Sequence, residues 1–215
     1  MRILLTSHRP LGDGATGRRL AQLREALRDS HEVRVVQAAL HRDYPADVRV
    51  VLCRADDPDA DLAFAMPTFE GDAPGQRSFA SLSNAKLAAY REAFRAALDS
   101  EIEGFDPDIV HAQHLWIDGH LALESGAPYV VAAEWDEWDL ASEDDRFARY
   151  VRETAENAGR ILTDDFELRT VLSRRLDLAA DRFAPAGLSA EQFTEVYREV
   201  LDCRFGRGSE ASTTV

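Results

Sequence analysis

The chain has 215 residues, 45% apolar and 30% charged, with a formal net charge of −14. That length can bury a sizeable core in one domain, and so acidic a balance argues against partners that demand a basic surface, nucleic acid and anionic membranes among them. Two cysteines, Cys53 and Cys203, are too few for a disulfide framework, no apolar run approaches the ~18 residues of a membrane span, and the opening MRILLTSH has too short an apolar core for a signal peptide. The expected compartment is the cytoplasm.

Residues 3–6 are a short apolar run suited to a buried strand, followed by a loop and a helix with Leu20, Leu23 and Leu27 on one face. Strands are expected at 32–36 and 48–52. Residues 54–80, rich in Asp, Pro and Gly, read as a long surface loop. From Asn84 a helix sets Leu87, Tyr90, Phe94, Leu98 and Ile102 at spacings of three and four, and it ends at Gly104 ahead of Pro107. A strand begins at Ile109, a short helix covers 121–125, and the run 129–133 is apolar on both faces, as a central parallel strand is. Helices at about 143–157 and 165–176 flank a strand at 160–163. A short strand at 182–184 and an amphipathic helix at about 189–201, carrying Phe193, Val196, Tyr197, Val200 and Leu201, complete one domain over 1–203; an unordered tail is expected over 204–215.

Strands alternating with helices predict an α/β fold, a Rossmann-like doubly wound parallel sheet. Ligands of such sheets bind beyond the carboxyl ends of the strands. Three polar loops leave strands at that edge: 7–17, 111–118 and 134–140. In the first, LGDGATG supplies Gly12, Asp13, Gly14 and Gly17, a literal G-x-G-x-x-G that either brings backbone N–H groups to an anion or is a purely structural loop. Five residues between the strand and Gly12, and Gln37 where a ribose-binding acid would stand, argue against a dinucleotide and leave no cofactor expected. In HAQHLW, His111 reads as a packed core histidine and His114 as the better candidate for a ligand or acid–base role; the spacing lacks the helical geometry of the common zinc motif, so no metal is expected. EWDEWD is the sharpest feature. Its carboxylates can accept hydrogen bonds from hydroxyls while indole covers a sugar ring, and a carboxylate against indole can have a raised pKa. An acid-rich helix start accounts for Asp139, Glu143, Asp144 and Asp145 but less well for Glu134 and Asp136, which leave the strand directly.

Several segments, in order, resemble the N-terminal domain of family 4 glycosyltransferases of the GT-B architecture. MRILLTSHRPLGDGATGRRLAQLREAL is similar to their opening strand, glycine loop and helix, and FDPDIVHAQHLW to their P-D-hydrophobic-V-H strand. LALESGAPYVVAAEWDEWDL resembles their G-x-P-Y-V-V strand and the loop after it, and NAGRILTDDFELRTVL their A-D-x-V-I unit. PAGLSAEQF resembles the end of that domain, and EQFTEVYREVL its closing helix. The resemblance covers about residues 1–188 and implies a single GT-B half. It puts Glu134 where the family has a histidine near the transferred sugar, and no match to the family's donor domain or its E-x7-E motif follows.

The resemblance implies a protein that binds a sugar, polyol or sugar-phosphate and acts in glycosyl transfer with a donor-domain partner or as a homodimer, the partner completing the site for a nucleotide-sugar donor. Glu134, Asp136 and His114 are then the catalytic candidates, and Gly12, Asp13, Gly14, Gly17, Trp116, Trp135 and Trp138 the substrate-binding ones. The alternatives are a non-catalytic auxiliary of a true glycosyltransferase and a repurposed acid–base enzyme.

Overall fold

The computed structural model describes residues 1–71 and 73–209, with side chains through Cys203. In chain order the elements are β1 (Arg2–Ser7), α1 (Gly14–Arg28), β2 (Glu32–Ala39), β3 (Val48–Leu52), β4 (Met66–Thr68), β5 (Gln76–Ser78), α2 (Asn84–Phe105), β6 (Ile109–Ala112), α3 (His120–Ser125), β7 (Tyr129–Ala132), α4 (Trp135–Glu143), α5 (Asp145–Asn157), β8 (Arg160–Leu162), α6 (Phe166–Leu176), β9 (Phe183–Ala184) and α7 (Ala190–Ser209). Among the described residues seven strands form one sheet in the order β3-β2-β1-β6-β7-β8-β9, and every pairing in it is parallel. No helix among them is long and apolar enough to cross a membrane.

The central strands β1, β6 and β7 are buried on both faces because helices cover both. Ile3, Leu5, Val35, Ile109 and Val130 pack with Leu20 and Leu27 of α1 and with Phe193 and Tyr197 of α7. Leu4, Val36, Val110 and Val131 face Tyr90 and Phe94 of α2, Phe147 and Val151 of α5, and Leu168 and Leu172 of α6. The chain winds outward from β1 to β3, and α2 then returns it to lay β6 on the other side of β1. The sheet therefore has its switch point between β1 and β6, the place where ligands of open α/β sheets bind.

Two segments differ from the sequence reading. Residues 54–80 are not simply a surface loop: Leu62, Phe64, Met66 and Phe79 are buried in the core beside α2, and β4 and β5 pair in parallel over the β1–α1 loop. Those apolar residues have no helical or strand period, so the Asp, Pro and Gly around them dominate the sequence signal. Residues 134–140 are likewise not a loop. Helix α4 starts at once, with Glu134 as N-cap; the Glu137 carboxylate accepts the Glu134 N–H at 3.0 Å, half of a capping box. Asp144 ends α4 and caps α5 through the Arg146 N–H. Helix α7 extends to Ser209, past its expected end, and residues 210–215 of the expected tail lie outside the described residues.

Candidate functional site at the strand edge

Side-chain alternation along β6 divides HAQH between the two faces of the sheet. His111 and Gln113 point toward α1 and α7, and His114 toward the opposite layer, where its ring lies 4.5 Å from His8 and 5.0 Å from Phe69. His8 follows β1 and His114 follows β6, so the two imidazoles meet at the switch point. Phe69 and Phe79 close edge-on over His8. The Asp118 carboxylate accepts the His8 backbone N–H at 3.2 Å. Neither ring's nitrogens have a hydrogen-bond partner, nor does the second Asp118 oxygen. Burial lowers the pKa of His114 to about 3 and raises that of Asp118 to about 8, so at neutral pH both are held largely uncharged. His114, expected as a ligand or acid–base group, is 1% exposed and out of direct reach of solvent.

The accessible groups lie just beyond this core. Thr16 Oγ1 donates to the Glu134 carboxylate at 3.1 Å, and Arg19 Nη1 stands 3.9 Å from the same carboxylate. Thr16 and Arg19 are three apart on α1 and so share a face, turned toward the end of β7. Burial raises the Glu134 pKa, against the Thr16 hydrogen bond and the Arg19 charge, which lower it. Asp136 is exposed; partial burial and the nearby Glu70 raise its pKa, and Arg9 lowers it. Arg9 is ion-paired to Glu70.

The glycines divide by role. Gly12 and Gly14 have φ of +87° and +61°, the left-handed region that favours glycine, and a Cβ on Gly12 would meet nothing within 4 Å. A Cβ on Gly17 would lie 2.3 Å from the Pro10 carbonyl oxygen, so this glycine permits helix–loop packing and does not face a ligand. Asp13, the N-cap residue of α1, makes no side-chain cap bond, and α1 has no acid in its first turn. Asp13 instead accepts from the Gln76 amide at 3.4 Å.

The tryptophans are placed otherwise than expected. Trp116 is 2% exposed and packs against Phe147 and Tyr150 at ring distances of 5.2 and 5.0 Å, which excludes it as a surface for a sugar. Trp138 packs on the core flank in a groove with Ala141 and Leu176. Trp135 donates its indole N–H to Asp165 at 2.8 Å, tying α4 to the N-cap of α6. Glu134 and Asp136 thus remain at the edge with Gly12, Asp13 and Gly14. Among the described residues no group of three or more His, Cys, Asp or Glu side chains could hold a metal ion.

Sequence reasoning missed Arg9, Thr16, Arg19 and Asp118. A short-range signal existed for Thr16 and Arg19, their i,i+3 spacing at a helix start; Asp118 has none, because its burial depends on packing between distant segments.

No protein-family model matches this sequence, and no curated protein is significantly similar to it. Solved structures do share its fold. Sucrose-phosphate synthase from Thermosynechococcus elongatus superposes with a TM-score of 0.60 at 14% identity over 86% of this chain, which spans 47% of that enzyme. A two-segment portion of the same synthase matches over 93% of this chain and 99% of the portion, with a TM-score of 0.59 and 15% identity. UDP-GlcNAc 2-epimerase from Neisseria meningitidis, bound to UDP-GlcNAc, gives 0.52 at 14% identity over 86% of this chain and 46% of its own. At these identities the likeness is one of fold: this chain has the Rossmann-like α/β fold of a GT-B half.

Proposed function

We propose that this domain binds a phosphorylated sugar or polyol at the strand edge and serves in glycosyl transfer. One observation carries the reading: Glu134, Thr16 and Arg19 converge, from the end of β7 and the start of α1, on one half-buried carboxylate. A carboxylate in that setting accepts hydrogen bonds from sugar hydroxyls, and its raised pKa suits it to take a hydroxyl proton as that oxygen becomes a nucleophile. The helix start at Gly14 and the Arg19 guanidinium are the groups for a phosphate. Two proteins of the same fold carry sugar-phosphate or nucleotide-sugar names, which supports the ligand class. Transfer also needs a surface for the donor, and a partner domain or a second copy docking across this edge would supply it.

Titration calorimetry with glucose 6-phosphate and glucose tests the proposal. Glu134→Gln keeps the shape of the side chain and is expected to weaken both ligands about tenfold or more, the cost of losing a charged hydrogen bond. Arg19→Ala is expected to weaken glucose 6-phosphate alone. Binding by both variants with wild-type affinity would refute the assignment.

A further inference from the structure

Between α1 and α7 lies a pocket of about 400 Å³, within the size range of small-molecule sites. Its walls are apolar, from Leu20 and Leu23 on α1, Leu162 at the end of β8, and Phe193 on α7. Its floor is polar. Gln113 is 2% exposed, its backbone N–H donates to the Thr6 carbonyl at 3.0 Å, and it lines the pocket. His111, also on the floor, is oriented by the hydrogen bond of its Nδ1 with the Tyr197 hydroxyl at 2.6 Å, which leaves its other nitrogen available to the pocket. Burial lowers the His111 pKa to about 4, so the floor carries no charge at neutral pH. Arg19 lines the same pocket with a side chain 48% exposed, and brings a cation to its mouth.

We propose that this pocket is a second binding site, for a pyrimidine-sized heterocycle with a hydrogen-bonding edge and a phosphate substituent. The carboxamide of Gln113 offers one donor and one acceptor, which complement the alternating acceptors and donor of an imide edge. Leu23 and Phe193 on opposite walls suit the two apolar faces of a flat ring, and Arg19 meets the phosphate. The site shares Arg19 with the strand edge and is otherwise independent of the reading of Glu134.

The test is calorimetry of the protein with uridine 5′-monophosphate, uridine and inorganic phosphate as probes. Uridine 5′-monophosphate is expected to bind more tightly than either part. Gln113→Leu, which removes the amide, and Leu23→Trp, which fills the pocket from the surface of α1, are each expected to weaken it at least tenfold. Arg19→Ala is expected to bring its affinity down to that of uridine. Wild-type affinity in folded Leu23→Trp or folded Gln113→Leu, or no binding by the folded wild type, would overturn the proposal. Because the glucose 6-phosphate measurements depend on Glu134 and these depend on Gln113 and Leu23, either site can fail without the other.

Discussion

Trp116→Ala is expected to lower the stability of this protein by about 3–5 kcal/mol, the range for removing a large aromatic from a packed core. The indole is 2% exposed and meets Phe79, and Phe147 and Tyr150 of α5, at ring distances of 6.3, 5.2 and 5.0 Å. These neighbours belong to a rigid sheet-and-helix layer that cannot collapse fully into the space left. For a chain of this length the loss corresponds to a fall in melting temperature of more than about 6 °C, measurable by calorimetry. A sugar platform at position 116 would give the opposite pattern, with ligand affinity lost and stability kept.

Stability is expected to fall as the pH rises above about 6.5, where the histidines no longer offset the buried acids. His111 and His114, at about 4 and 3 in the folded protein, lie below the unfolded value of about 6.5. The stability they contribute is therefore complete above about 6.5 and is lost as the pH falls toward 4, where the unfolded chain takes up protons that the folded one refuses. Asp118 has the opposite sign. At about 8 it lies above the unfolded value of about 3.9, so its contribution is complete below about 4 and is lost as the pH rises to 8. Glu137, buried and also held up by desolvation, adds to this alkaline limb. Asp118→Asn keeps an oxygen for the His8 N–H and removes the titration, so the variant's stability relative to wild type should grow by more than about 1 kcal/mol between pH 5 and pH 8. Urea melts at the two pH values measure this, and a difference independent of pH would contradict it.

The sheet was legible because its strands are short runs without polar interruption, as 3–6 and 129–133 show, separated by helices with a clear stripe such as Leu87 to Ile102. The divided fate of His111 and His114 was also written locally, in the two-residue alternation of a strand. Less legible was everything fixed by distant contacts. Thr16 meets Glu134 across 118 positions, and no local pattern announces that pairing. Phe64, Met66 and Phe79 fill the core from a stretch whose composition is that of a loop. In EWDEWD the acids do start a helix, as the macrodipole favours, yet Glu134 both caps that helix and faces Thr16 and Arg19, so the structural and the functional readings of one residue are compatible. The tryptophans misled because sequence does not show whether an indole beside a carboxylate covers a ligand, anchors a neighbouring helix as Trp135 does, or fills the core as Trp116 does.

A crystal structure after soaking with glucose 6-phosphate tests the central claim most directly. The account predicts ligand density at the strand edge, with the phosphate at Gly12, Gly14 and Arg19 and a sugar hydroxyl on the Glu134 carboxylate. Density confined to another surface, with Glu134 still engaged only by Thr16 and Arg19, would contradict it.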